Sequence, residues 1–338
     1  MIKVGVIGCG YWGPNLIRNF VSCPDTELIW ACDLDEKRLQ RVLSPYPGVR
    51  GTPELEVILG DDRVDGIAIA TPVYTHFPIA KACLDSGKHV LIEKPLASSV
   101  SQGDELINLA EKNNLQVMSD HTFCYTGTVR KIEETLQSGI LGDLLYFDSV
   151  RVNLGLFQQD INVVWDLAPH DLSIVDFLIN EKPISVSAHG VCHAGNGLEN
   201  IAYVSLSYSN SFISHFHLSW LSPVKIRMTI ICGAKKMLVW NDMDPAEKIK
   251  IYEKGIEIHK DDQEDKRQLL VSYRSGDMYA PRIDQTEALS LVVKEFADCI
   301  QEDRPALTDG ETGLRVLRVL DAAERSIKAD GANVRIDY

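Results

Sequence analysis

Residues 4–7 (VGVI) form an apolar run that breaks at Gly8, Gly10 and Gly13 and gives way to an amphipathic stretch at 15–22. Short, nearly continuous apolar runs of this kind suit strands buried on both faces of a parallel sheet. Further runs follow at 27–32 (ELIWAC), 64–70 (VDGIAIA), 88–92 (KHVLI) and 116–119, with helical periodicity at 35–43, 53–59, 76–86 and 99–113. Strand and helix alternate with short links, which predicts a doubly wound parallel sheet ending near Asp120.

Beyond that point the pattern changes. Helices are expected at 129–138 and 166–179, and a strand with alternating polarity at 144–153. Then come ISVSAHGV, IAYVSLSY, FISHFHLSW, IRMTIIC, KMLVW and KIKIY between 184 and 252, separated by Gly, Asn, Pro and Ser. Successive β-rich runs with such breaks predict an open, largely antiparallel sheet. Two helices, at 284–299 and 311–327, close the pattern; in the second, Leu314, Leu317, Leu320 and Ala323 recur at core spacing. The expected class is α/β, with domains at 1–120 and 121–338 and the C-terminal helices free to pack back on the first. A length of 338 residues also favours two cores over one.

Charge and cysteine usage narrow the functions. The 34 basic against 48 acidic residues leave a formal net charge of −14, which argues against nucleic acid or an anionic membrane as the partner. No apolar run approaches the ~20 residues of a membrane helix. With no basic leader before the first strand, a cytoplasmic protein is expected. The eight cysteines are scattered without a C-x-x-C pair and read as small buried hydrophobes. His215 and His217 alternate on one strand without a third ligand nearby, so no metal is expected. The charged run 259–267 (HKDDQEDKR) reads as a solvated loop.

The glycines carry the first candidate chemistry. At G-x-G-x-x-G spacing after a strand, they allow a tight turn and close backbone approach to a pyrophosphate at a helix N-terminus. Pro14 suits the first turn of that helix. Asp33 ends the second strand twenty residues after Gly13, where a carboxylate accepts hydrogen bonds from ribose hydroxyls. It would repel a 2′-phosphate, and Leu34 offers nothing to hold one, so NAD is expected over NADP. Ligands of such sheets sit at the carboxyl ends of strands, which places Thr71, Pro72, Glu93, Lys94 and Pro95 on the rim of the glycine turn. With Tyr11 and Trp12 inside the turn, His76 after the rim and His121 after the last strand, these form the cofactor-binding candidates.

The motifs GCGYWG (8–13), ATP (70–72), EKP (93–95) and DLAPHD (166–171) together resemble the glucose-fructose oxidoreductase and inositol dehydrogenase (Gfo/Idh/MocA) family of NAD(P)-dependent oxidoreductases, over essentially the whole chain. The resemblance implies an N-terminal Rossmann domain, a C-terminal α/β domain with an open sheet, and a substrate pocket between them. It also implies a homodimer or homotetramer formed through that sheet. In family terms Lys94 is the EKP lysine near the nicotinamide, and Asp166 with His170 matches the D-x-x-x-H element of inositol-dehydrogenase-like members.

Removing a hydride from a secondary alcohol requires loss of the hydroxyl proton, and a histidine titrates near neutrality with least tuning. His170 is thus a candidate base. Asp166, four residues earlier, would share its helical face or cap the helix start. Lys94 could stabilise an alkoxide or, if buried, act as the base itself, so the two remain alternatives. Arg151 and Asn153, on one strand face, and Trp165 are further substrate-binding candidates, each with a structural role as its alternative.

The expected function is hydride transfer between NAD and a ring-carbon hydroxyl or ketone of a sugar, C3 being the expected carbon. Segments 151–171 and 275–289 are similar to members acting on nucleotide-linked sugars in amino- or deoxy-sugar biosynthesis, although Val163 and Val164 stand where many branches carry a Gly-Gly pair. The alternatives are an inositol or polyol dehydrogenase, an NAD-dependent glycosidase, and a non-catalytic dinucleotide-binding sensor.

Overall fold

The apolar runs become parallel strands because their residues are covered on both faces. In the computed structural model, which describes residues 1–155, 160–195, 197–259 and 270–338, the chain divides into two units. The first comprises residues 1–126, 285–321 and 338, and the second 127–284 with 322–337.

The first unit contains β1 (Ile2–Ile7), α1 (Gly13–Ser22), β2 (Thr26–Cys32), α2 (Glu36–Leu43), β3 (Arg50–Thr52), α3 (Leu55–Leu59), β4 (Gly66–Ile69), α4 (Val73–Asp85), β5 (His89–Glu93), α5 (Val100–Asn113) and β6 (Val117–Asp120). Among the described residues its strands pair in parallel in the order β3-β2-β1-β4-β5-β6. The order reverses between β1 and β4, the switch point at which such sheets bind ligands. Val4, Val6, Ile67, Ile69 and Leu91 are buried in this sheet. Asp35 and Ser99 start α2 and α5 by accepting the backbone N–H groups of Arg38 and Gln102.

The second unit follows with α6 (Gly127–Gln137), β7 (Leu144–Leu154), α7 (Val163–Leu178), β8 (Ser185–Val191), β9 (Ile201–Ser207), β10 (Ile213–Ser219), β11 (Leu221–Gly233), β12 (Met237–Asn241), β13 (Ile249–Tyr252), β14 (Gly255–His259), β15 (Leu270–Arg274) and β16 (Met278–Tyr279). Helices α8 (Ala288–Glu302) and α9 (Gly310–Lys328) and strand β17 (Val334–Arg335) complete the chain. The larger sheet runs β16-β13-β12-β11-β7-β10-β9-β8-β17, and only its β7–β10 pair is parallel among the described neighbours. Strands β14 and β15 form a separate ribbon. Alternation is clean in β10, where Ser214, Phe216 and Leu218 are buried on one face and Ile213, His215 and His217 are more exposed on the other.

The division differs from a boundary at Asp120. The chain stays with the first unit to Thr126, and α8 and most of α9 return to it. Phe296 of α8 meets Phe20 of α1 edge-on at 6.4 Å, and Thr308 exchanges backbone and hydroxyl hydrogen bonds with Ser119 of β6. The core positions Leu314, Leu317, Leu320 and Ala323 are buried. Six cysteines are buried as well, and burial pushes the thiols of Cys9, Cys83 and Cys299 up to about 12, where they are unreactive. Apart from His259, the charged run 259–267 lies outside the described residues, as does 156–159.

Candidate active site

The three glycines are held to different tasks. Gly8 has φ +96°, and a Cβ there would stand 2.5 Å from the Ala70 carbonyl oxygen at the end of β4. A Cβ on Gly13 would stand 1.9 Å from the Gly8 carbonyl oxygen, so α1 closes directly onto the turn. Gly10 differs, because a Cβ there would meet nothing within 4 Å. The protein itself has no need of a glycine at that point, and the open space is what a closely approaching pyrophosphate requires. Tyr11 stands almost fully exposed beside it.

At the end of β2, Asp33 is nearly buried and accepts the backbone N–H of Cys9 at 2.7 Å and of Asp35 at 2.8 Å. These bonds aim its carboxylate at the glycine turn and leave lone pairs for further donors. Arg38, on the first turn of α2, lies 3.4 Å from Asp33 and 3.5 Å from Asp35. Inspecting only the residue after Asp33 misses this guanidinium. The signal available was its position three residues after an Asp at a helix start.

On the neighbouring rim the structure changes the role of His76. Helix α4 begins at Val73, three residues earlier than its periodicity suggests, with Pro72 at its N-cap position. His76 is thereby fully buried, with Nδ1 2.9 Å from the Pro95 carbonyl oxygen and Nε2 2.8 Å from that of Thr71. Both nitrogens face backbone carbonyl oxygens, to which a neutral ring can donate only one N–H, so His76 sits between Thr71 and the Lys94-Pro95 turn with neither nitrogen turned to a cofactor. Burial lowers its pKa. The Lys94–Pro95 peptide is cis.

Strands β5 and β6 lie in register, with Glu93 opposite Asp120. Their side chains are hydrogen-bonded to each other, and Asp120 also accepts Thr122 Oγ1 at 2.6 Å and Trp12 Nε1 at 3.1 Å. Trp12 therefore reaches from the glycine turn to the far strand end and does not face a ligand with its N–H. His121 is buried next to this pair, and among the described residues neither of its ring nitrogens meets a hydrogen-bond partner. A buried polar group of that kind calls for a ligand or an ordered water. Burial, with Lys94 and Arg315 adding positive charge, pushes His121 down to about 3, so the ring is neutral.

The other candidates lie on the second unit. Asn162 caps α7, its Oδ1 accepting the backbone N–H groups of Val164 and Trp165, each at 3.1 Å. Asp166 is thus not the cap but lies in the first turn, where it accepts Trp220 Nε1 at 3.1 Å. Asp166 and His170 sit four residues apart on α7 and are both half-buried, the shared face that the D-x-x-x-H spacing predicts. Trp165 is buried and donates its Nε1–H to Glu324 at 2.9 Å, which makes it a core residue.

Arg151 likewise takes the structural alternative. Its Nε and one terminal nitrogen donate to Asp171 at 2.6 and 3.0 Å in a buried bidentate pair, which Ser149 joins at 3.0 Å. The guanidinium fastens β7 to α7 and is not presented to a substrate. Asn153, two residues on, remains half-buried on the same strand face. Among the described residues no group of three or more His, Cys, Asp or Glu side chains is arranged to hold a metal ion.

Comparison with known proteins agrees with both halves. Residues 2–121 match the family model described as the NAD-binding Rossmann fold of an oxidoreductase family, and residues 133–336 match that family's C-terminal alpha/beta domain. A UDP-N-acetylglucosamine 3-dehydrogenase of Acidithiobacillus ferrooxidans is 25% identical over 94% of this chain and 94% of its own. An uncharacterized oxidoreductase of Streptococcus pneumoniae is 28% identical over 62% of this chain, a match spanning 60% of that protein's length. Among solved structures, GenD2 from gentamicin A biosynthesis, in complex with NAD, superposes with a TM-score of 0.83 at 21% identity, covering 100% of this chain and 97% of that one.

Proposed function

The chain belongs to the Gfo/Idh/MocA family of oxidoreductases, and from that premise we propose that it transfers a hydride between NAD and a ring-carbon hydroxyl or ketone of a nucleotide-linked sugar, at C3. The observation that carries the dinucleotide half is the glycine turn at the switch point, closed at Gly8 and Gly13 and open at Gly10. Gly10, Asp33, Glu93 and Lys94 at the end of β5, and His121 just after β6 are the residues that would hold the cofactor. A bound nicotinamide supplies the hydride donor or acceptor. The nucleotide-sugar class and the C3 position rest on the relative from A. ferrooxidans, which spans nearly the whole chain.

His170 takes the hydroxyl proton during oxidation and returns it during reduction, and Asp166, one turn earlier, favours the imidazolium that forms. Lys94 donates to the substrate oxygen as negative charge develops there.

The test is to mix the purified protein with NAD and a panel of UDP-sugars and follow NADH. Net NADH with at least one nucleotide sugar is expected. His170→Asn should keep NAD affinity while lowering turnover by about 10²–10⁴-fold, and Lys94→Met should lower turnover by a similar factor and also weaken NAD, since it lies at the cofactor end. Full activity in both variants would remove these residues from the mechanism, and redox-neutral turnover of a glycoside would replace the dehydrogenase by a glycosidase.

A further inference from the structure

We propose that Asp120 is a positioning residue of the dinucleotide site, fastening Trp12 of the glycine turn to the Glu93-Lys94 strand end through a carboxyl–carboxylate hydrogen bond with Glu93. The inference rests on the dinucleotide reading given above. It starts from geometry: the two carboxyl groups are side by side in the β5–β6 register, and Asp120 is 1% exposed.

Two carboxylates cannot share a hydrogen bond without a proton, so one partner must be an acid. The partners of Asp120 identify which. Its Oδ1 accepts Thr122 and its Oδ2 accepts Trp12, an arrangement that suits an ionised acceptor. Glu93 is therefore the donor. Burial raises both groups, and the charge of Asp120 lifts Glu93 well above the ordinary carboxylate range.

The other groups facing the pair are Lys94 just after β5, whose charge lowers both carboxyls, Tyr125 in the turn after β6, and neutral His121, itself facing Arg315 of α9. The pair thus carries one negative charge beside one lysine. Its consequence is mechanical: the loop that approaches the pyrophosphate and the strand end that bears Lys94 are joined through the Asp120 carboxylate.

Two measurements test this. In difference infrared spectra at neutral pH, the wild-type protein should show a carboxylic-acid carbonyl band that disappears in Glu93→Gln and equally in Asp120→Asn. In either variant an amide supplies the hydrogen and the remaining carboxyl ionises. A band that survives either substitution overturns the shared proton.

For positioning, Asp120→Ala should weaken NAD binding about tenfold, the effect of losing a hydrogen bond to a charged group. Asp120→Asn, whose single amide oxygen can still accept one of Trp12 and Thr122 while its NH2 donates to Glu93, should recover part of that affinity, to about threefold below wild type. Wild-type affinity in Asp120→Ala, or no recovery in Asp120→Asn, overturns the positioning role. Should wild-type protein bind neither NAD nor NADP, the dinucleotide reading and the positioning role fall together, and the infrared band still reports on the acid pair alone.

Discussion

Asp33 and Arg38 face one another at the end of β2, and on the proposed reading, with the ribose held there, their balance sets the choice of dinucleotide. The Asp33 carboxylate is oriented by two backbone N–H groups, whereas Arg38 is 41% exposed and paired with the Asp33 and Asp35 carboxylates. Asp33→Ala should weaken NAD about tenfold by removing a charged hydrogen-bond acceptor. It should leave NADP affinity unchanged or improved, because Arg38 would be released to hold a 2′-phosphate. Binding titrations with both dinucleotides check this, and equal weakening would overturn the preference for NAD. Asp33 was legible from spacing because a strand fixes where the chain emerges. Arg38 had its own signal, three residues after Asp35 at a helix start, whereas Asp120 was not legible, since its partner Trp12 is supplied only by the three-dimensional register.

At the scale of elements, strands and helices were readable because burial sets their periods, and the observed bounds of β2, β5, α5 and β7 to β10 follow the apolar pattern closely. What the pattern could not assign was polar residues inside it. Arg151 alternates correctly for a pocket wall, yet its strand face is the one covered by α7, where Asp171 meets it. A buried pair broken on one side leaves an uncompensated charge, so Arg151→Met should cost about 3–5 kcal/mol in denaturant unfolding. The double variant Arg151→Met with Asp171→Leu should recover most of that loss, since a packed apolar pair of similar volume is close to neutral. A single variant within about 1 kcal/mol of wild type would show the pair to behave as an exposed one.

At the scale of the whole molecule, two domains followed from length and from the change of pattern near residue 120, and the return of α8 and most of α9 to the first unit, left open by the sequence, is carried by long-range contacts such as Phe20 with Phe296. The larger sheet raises the remaining question. On the face opposite Phe216 and Leu218, Tyr203 and Ile213 are 48% and 45% exposed, the Tyr203 ring stacks on His217 at 4.5 Å, and His215 pairs with Asp148 at 2.8 Å. An antiparallel sheet can leave such a face to water, but apolar and aromatic side chains gathered there suit burial against another surface. We propose that this surface is a second copy of this chain, as the family resemblance implies. Sedimentation should therefore find a dimer or tetramer, with a melting temperature that rises with protein concentration. Tyr203→Lys combined with Ile213→Lys should yield a monomer with unchanged circular dichroism and a concentration-independent melt, because charges on both strands cannot be buried unpaired. A monomeric wild-type protein, or an oligomer unaffected by both lysines, would mean that another surface, or none, joins the subunits.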